Sequence, residues 1–314
     1  MKKPEIIVSV SGIDEVENLI SAGADGFVIQ VPKFSLMGGK ITHIHEIEKI
    51  VTKLNENQKK KYLLVDAIFP NDLLVELENF LNVIKNFEFD AIRVADLGAF
   101  MLIKKILPQM VIHFVDAMML TNYFTVNYWG NKGVKRVRLA HELTLEEVLN
   151  IKKSASTEIE VLVHGAPLMF TSRRKLIDNY LTFKKTLGKD VTLSTDASSL
   201  FDEERNLFYP IHQNEHGTHI HGGTDVIMVD DLIDLVSVGI DAIYIEGLTY
   251  SNESFVNLIQ LYRYAIDLIV TDREKYLKIS SALYRQANIL QQNRSLDRGF
   301  YYKPTIYKNK DEEV

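Results

Sequence analysis

The chain predicts an α/β fold, a (β/α)8 barrel of the TIM type, on three observations. Short aliphatic or β-branched runs alternate with longer amphipathic segments from end to end, and eight such runs stand out. Gly23, Gly133 and Gly239 each sit just before a predicted strand, where the preceding helix commonly ends in glycine. No GxGxxG follows the first strand, which disfavours the alternative, a doubly wound open sheet.

The opening MKKPEIIVSV holds too short an apolar run for a signal peptide and supplies the first strand, Ile6–Val10. Helix Ile13–Ala22 follows on the spacing of Val16, Leu19 and Ile20, and Gly26–Gln30 is the second strand. Ile44, Ile47, Val51 and Leu54 recur at three-to-four spacing and set a helix over Ile41–Asn55. Strand Tyr62–Ile68 leads through the helix start Pro70-Asn71-Asp72 into helix Leu73–Phe87. Strand Ala91–Ala95, helix Leu97–Leu107, and strands Val111–Val115 and Val134–Leu139 continue the pattern. Helix Leu143–Lys153, with Thr144 at its start, precedes strand Ile159–His164, and Ala242–Glu246 is the eighth strand.

Residues 189–223 break this rhythm. VTLSTD, LFYPIHQ and GTHIHGG read as a β-hairpin insertion between strands seven and eight. C-terminal helices Asn252–Val270 and Arg273–Gln291 complete one domain over 1–292, followed by a polar, aromatic tail at 293–314.

Hydrophobic residues make up 46% of the chain and charged ones 25%, and no apolar run reaches the roughly 18–20 residues that span a bilayer. A cytoplasmic protein without membrane contact is expected. The chain has no cysteine, which excludes disulfides, thiolate nucleophiles and cysteine-held zinc or iron–sulfur clusters within it. At a net charge of −6 the surface as a whole is no nucleic-acid footprint, so RNA contact needs a local basic patch or a partner. Lys184, Lys185 and Lys189 follow the seventh strand and are better placed than Lys132, Lys135 and Arg136, which fall at the opposite barrel end.

Polar residues at the C-terminal ends of barrel strands face the mouth, where such folds assemble their sites. Gln30, Asp96, Asp116, Arg138, His141, Glu142, His164, Ser172, Arg173, Arg174 and Glu246 fall there. Guanidinium and imidazole groups around one opening suit a small anionic ligand, bound by Arg138, His141, Arg173, Arg174, Ser172, Glu246 and Gln30. His164 and Glu142 are then placed for proton transfer or orientation. Each has a structural alternative: Asp96 and Asp116 as helix N-caps, Arg138 paired to Glu142, His164 as a buried histidine, and Arg173-Arg174 as a solvated turn. His212, His216, His219 and His221 invite a metal, but the reading adopted is a solvated hairpin with no metal site. No HExxH or GxSxG is present, so standard hydrolytic machinery is not visible.

AGADGFVIQ (22–30), AIRVADLGA (91–99), VIHFVDAMMLTN (111–122), VKRVRLAHELTLEEV (134–148) and EIEVLVHGAPL (158–168) resemble the peptidase U32 (collagenase-like) family. DLIDLVSVGIDAIYIEG (231–247), Tyr262-Arg263 and RSLDRGFY (294–301) extend the likeness over nearly the whole chain. The resemblance implies a TIM barrel and oxygen-insertion chemistry, including prephenate-dependent 5-hydroxylation of the wobble uridine of transfer RNA. Family members typically hold an iron–sulfur cluster on cysteines, at positions that here are Leu168 and Lys175. The ARELSL run stands as AHELTL, with His141 in it, and KIEGR as YIEGL. A short cysteine-free member resembles the first of two adjacent U32 proteins of Gram-positive bacteria. The resemblance therefore implies a tRNA hydroxylation factor working with a cysteine-bearing U32 partner, with prephenate as possible co-substrate. A collagenase-like peptidase and a non-catalytic scaffold subunit are the alternatives.

Overall fold

A computed structural model describes residues 1–37, 39, 41–115, 119–188, 199–291 and 294–303. Eight parallel strands close into a barrel: β1 (Glu5–Val10), β2 (Gly26–Gln30), β3 (Lys60–Val65), β4 (Ala91–Val94), β5 (Ile112–Phe114), β6 (Val134–Arg138), β7 (Glu158–Gly165) and, later in the chain, β13 (Ala242–Ile245). Closure runs through β13, which pairs with β1 at Val8↔Ile245 and with β7 at Tyr244↔Leu162. All eight predicted strands are the barrel strands. The third begins two residues and ends three residues earlier than expected, at Lys60–Val65.

The predicted helices appear as α1 (Ile13–Ser21), α2 (Ile44–Glu56), α3 (Asn71–Ile84), α4 (Leu97–Ile106) and α6 (Leu145–Ser154). Asp96 caps α4 by accepting from the Ala99 amide, and Thr144 forms a reciprocal capping box with Glu147 on α6. Gly23, Gly133 and Gly239 all adopt the left-handed backbone expected of them. Asp116 lies outside the described residues. Three helices have no counterpart in the sequence reading: α5 (Tyr123–Asn131), α7 (Leu176–Thr186) and α8 (Leu232–Val238). α5 and α7 each lack a buried apolar face, burying one residue and none respectively.

The inserted sheet is larger than a hairpin. β8 (Leu168–Ser172), β9 (Ser199–Asp202), β10 (Leu207–Asn214) and β11 (Gly217–His221) form an antiparallel sheet in the order β8-β11-β10-β9. It begins directly after the seventh barrel strand, so the segment carrying Ser172 is itself a strand of the insertion. Beyond it, β12 (Asp225–Ile227) runs antiparallel to the end of β7, and β14 (Leu296–Asp297) lies beside β12. Long helices α9 (Asn252–Thr271) and α10 (Arg273–Leu290) pack on each other. The 294–303 stretch is stitched down by Arg294 to Asp225 at 2.8 Å, by Arg298 to Asp230 at 2.6 Å, and by Tyr301 Oη donating to the Leu162 carbonyl at 2.6 Å.

Two apolar layers result. The larger fills the space between strands and helices, with Val8, Ile29, Leu63, Ile92 and Ile243 fully buried. The smaller lies inside the barrel around Ile7, Val28, Tyr62, Leu64, Leu162 and Tyr244. Barrel interiors are usually filled by Val, Ile and Leu. This one also buries Arg93, His113, Arg136 and Glu160.

Candidate functional site at the barrel mouth

The lower interior holds an ionic network, in which Arg93 Nε, Arg136 Nη1 and His113 Nδ1 are buried without hydrogen-bond partners among the described residues. Arg93 of β4 makes a two-point ion pair with Glu160 of β7, at 2.8 and 2.5 Å, and both side chains are fully buried. Arg136 bridges Glu5 and Glu158, each at 2.9 Å, and Tyr62 donates to Glu5. Burial alone pushes the Glu160 carboxyl up, but the charge and hydrogen bonds of Arg93 outweigh it and hold it below the ordinary carboxylate value. Arg136 and Lys135 are therefore tied to carboxylates rather than forming a free basic patch.

Above this network lies a mouth cavity of about 250 Å³. Its polar lining includes Gln30, Asp66, Asp96, Arg138, His141, Thr171, His221, Tyr244 and Glu246. Arg138, Gln30, His141 and Glu246 were expected here and are brought together. Arg138 stacks its guanidinium over the Tyr244 ring at 4.6 Å. Its nearest carboxylate is Glu160, 3.8 Å from Nε and already engaged by Arg93, while Glu142 does not pair with it. Among the described residues Arg138 has no hydrogen-bond acceptor, and its Nε is buried without a partner.

Tyr244 is held by Ser9 Oγ at 2.7 Å and donates to Glu246 at 3.0 Å, so the stack beneath Arg138 is fixed. Burial pushes both the Asp66 and Glu246 carboxyls upward, against the opposing pull of Arg138. Burial and then Arg138 lower His141 to about 4, so its ring is neutral.

The other expected site residues go elsewhere. His164 is fully buried behind the mouth, with Nδ1 3.0 Å from Tyr262 Oη and Nε2 2.5 Å from Tyr250 Oη. Tyr262 Oη donates to the Val163 carbonyl, so His164 carries its proton on Nδ1 and accepts from Tyr250 at Nε2. Burial lowers this imidazole to about 3. It is a structural histidine and not a mouth acid or base. Gly165 explains the rest of the His-Gly pair: at φ +101° its missing Cβ would lie 2.3 Å from the Glu246 carbonyl.

Glu142 is exposed and lines no part of the mouth cavity. Arg173 lines a separate hollow with Lys33, Glu76 and Glu215. Arg174 is exposed, and Ser172 accepts from the Arg174 amide. These three lie past the point where β8 leaves the mouth, so the strand-exit rule that placed them there fails.

The hairpin histidines are not solvated. His219 is fully buried and His221 nearly so, with the His212 ring 4.9 Å from His219 and 5.5 Å from His221. His216 reaches instead to the Pro32 carbonyl at 2.6 Å. Among the described residues no three histidines or carboxylates converge as a metal set.

One relay was missed in the sequence. Asn214 donates to the Leu36 carbonyl, which leaves its Oδ1 to accept from His219 Nε2 at 3.1 Å. His219 Nδ1 therefore accepts from Thr171 Oγ1 at 2.9 Å, and Thr171 turns only lone pairs toward the cavity. In outline this is a hydroxyl–imidazole–amide chain of the acyl-transfer kind. However, burial with His212 and His216 nearby lowers His219 to about 4, which makes it a weak base.

Family membership follows from the extent of the match. Peptidase family U32 covers residues 11–311. The chain belongs to this family. Among its U32 relatives, tRNA hydroxylation protein P2 of Bacillus subtilis (strain 168) is 36% identical over 98% of this chain and 100% of its own length. tRNA hydroxylation protein P1 of the same organism is 23% identical over 88% of this chain and 66% of its own. tRNA hydroxylation protein P of Escherichia coli (strain K12) is 26% identical over 85% and 68%. A solved U32 peptidase structure superposes over 78% of this chain and 94% of its own at 14% identity, with a TM-score of 0.47.

A cysteine-held iron–sulfur cluster does not fit this U32 barrel. Leu168 lines the mouth and Lys175 is exposed at the start of α7, and neither an alkyl chain nor an ammonium is an iron ligand. No helix among the described residues is long and apolar enough to cross a membrane.

Proposed function

We propose that this U32 protein is a tRNA hydroxylation factor whose mouth binds a small carboxylate metabolite of the prephenate class. It works with a second, cysteine-bearing U32 protein that supplies the iron–sulfur chemistry. The observation that carries the hydroxylation reading is the end-to-end correspondence with tRNA hydroxylation protein P2, without large gaps in either chain.

Geometry supports the ligand class. Arg138 is held flat on Tyr244 with unused N–H donors, which suits two-point recognition of a carboxylate. The lack of cysteine in the chain supports the reading that a partner holds the cluster.

The test is deletion of the gene in its own organism, with 5-hydroxyuridine-derived nucleosides in tRNA quantified by mass spectrometry. Their loss, restored by the intact gene and not by Arg138→Met, is the expected result. Unchanged nucleosides in a strain without a redundant route overturn the reading. Pull-down of a cysteine-bearing U32 protein from the same cells checks the partner.

A further inference from the structure

Helix α7 is unlike every other helix among the described residues. It buries no residue, and it is pinned to the insertion mainly at its N-terminus. There the Leu176 amide donates to Thr218 Oγ1 at 2.9 Å and the Ile177 amide to Gln213 Oε1 at 3.1 Å. Its outward face carries Tyr180, Phe183 and Leu187, at helical spacing and respectively 49%, 58% and 56% exposed. Unpartnered aromatic surface of this kind is costly in water unless something covers it.

The charge around those rings is equally uneven. Arg174, Lys175, Lys184 and Lys185 flank them, and Asp178 is the one acid within the helix. Among the described residues none of these four cations makes an ion pair, whereas cations such as Lys33, Lys60 and Lys152 do. Lys184 instead lies over the Tyr180 ring, 5.2 Å from its centroid. On a chain of net charge −6 this is a local reversal of sign.

We propose that the outer face of α7 docks single-stranded or looped RNA, with Tyr180 and Phe183 stacking on unpaired bases. Lys184, Lys185, Lys175 and Arg174 then meet the phosphates. Stacking is tolerant of sequence because every base has a π-face, and phosphate contact needs unpaired cations on the surface; both are present on one helix. A protein partner is less well matched, because interface cores are depleted of lysine. The inference rests on the tRNA hydroxylation reading for the identity of the RNA, and it assigns the surface on which that RNA is held.

The full-length protein is tested by fluorescence anisotropy with a labelled anticodon stem-loop, across a potassium chloride series. Lys184→Gln/Lys185→Gln is expected to flatten the log–log salt dependence by about 1.4, from roughly 0.7 per lost single-strand phosphate contact. Tyr180→Ala/Phe183→Ala is expected to weaken binding at least roughly thirtyfold at fixed salt, from about 1 kcal/mol or more per stacked base, with the slope unchanged, while Tyr180→Phe retains affinity. An exposed helix face makes loss of folding a poor explanation, and unchanged melting temperatures check this.

Wild-type affinity in all of these variants overturns the proposal, as does a wild-type protein without salt-dependent RNA binding. So does a variant set that keeps RNA affinity but loses capture of a second U32 protein. The hydroxylation reading is judged separately by the deletion strain: lost nucleosides with α7 variants that bind RNA normally sink this surface alone. Normal nucleosides with impaired RNA binding sink the function and leave the surface standing.

Discussion

Arg136 and Arg138 sit two residues apart on β6, and both face the barrel interior, yet they meet opposite fates. At the lower end Arg136 bridges two carboxylates, and beside it Arg93 is locked to Glu160. At the upper end Arg138 has an aromatic ring beneath it and no acceptor of its own among the described residues. Buried charge is tolerated where it is matched, and removing one partner exposes the full desolvation cost of the other. At the cavity wall Arg138 keeps only the longer 3.8 Å contact with Glu160, which leaves its guanidinium the freer of the two. The same residue type on the same strand thus closes an ion pair below and lines a cavity above.

The largest effect that can break this contrast is at Glu160. Glu160→Gln strands Arg93 in the interior and is expected to cost about 3–5 kcal/mol in urea unfolding, whereas the apolar pair Arg93→Met/Glu160→Leu recovers most of it. A loss below about 1 kcal/mol would mean that the lower network is not what holds the barrel closed.

His164→Phe comes next, at about 1–3 kcal/mol, because it removes the imidazole from the Tyr250 and Tyr262 hydroxyls, although Tyr262 keeps the Val163 carbonyl and the Met228 amide. It also carries a pH signature. The folded imidazole titrates near 3 against an ordinary 6.5, so its stabilising share is complete above pH 6.5 and is lost as pH falls toward 3. At pH 5 that loss is about 2 kcal/mol, and the variant is expected to show a correspondingly flatter fall in stability between pH 6.5 and 5.

Gly165→Ala is expected to cost about 1–3 kcal/mol, through its left-handed backbone and the clash with the Glu246 carbonyl. Thermal denaturation measures it, and carboxylate binding should weaken with it because Glu246 lines the mouth. Smallest in stability is Arg138→Met, expected within about 1 kcal/mol of the parent, since only a long 3.8 Å contact is lost and Glu160 keeps both hydrogen bonds from Arg93. Calorimetric titration with prephenate is expected to show at least a tenfold weaker complex, which sharpens the distinction between the two guanidiniums.

The barrel was legible because strand and helix periods repeat eight times, and caps such as Thr144-Glu147 and turns such as Gly239 mark the joints. Arg138, His141, Gln30 and Glu246 were legible because a strand's C-terminal end fixes which rim a side chain serves. His164 was misjudged as a mouth residue for a physical reason: its side chain turns behind the mouth, toward the tyrosines of α9 and of the loop before it. Those partners are Tyr250 and Tyr262, separated from it by 86 and 98 positions, and no local pattern announces them. Arg173, Arg174 and Ser172 were misplaced because the insertion begins as a strand, carrying them away from the rim. A signal for the lower network was present and unused. Arg93, Arg136, Arg138, Glu158 and Glu160 share the inward parity of their strands, and charge at that parity calls for a partner.

The stretch 294–303 has a consequence for biogenesis. It follows every barrel strand in the chain, yet it supplies the cations that neutralise Asp225 and Asp230 and the phenol that caps the Leu162 carbonyl of β7. While a nascent chain is still short of residue 294, the free edge of β12 is bare and two carboxylates beside it lack their counter-charge. Final locking of that side of the barrel is therefore deferred until translation has passed this point, and a ribosome stalled earlier presents an unfinished edge for chaperones to shield.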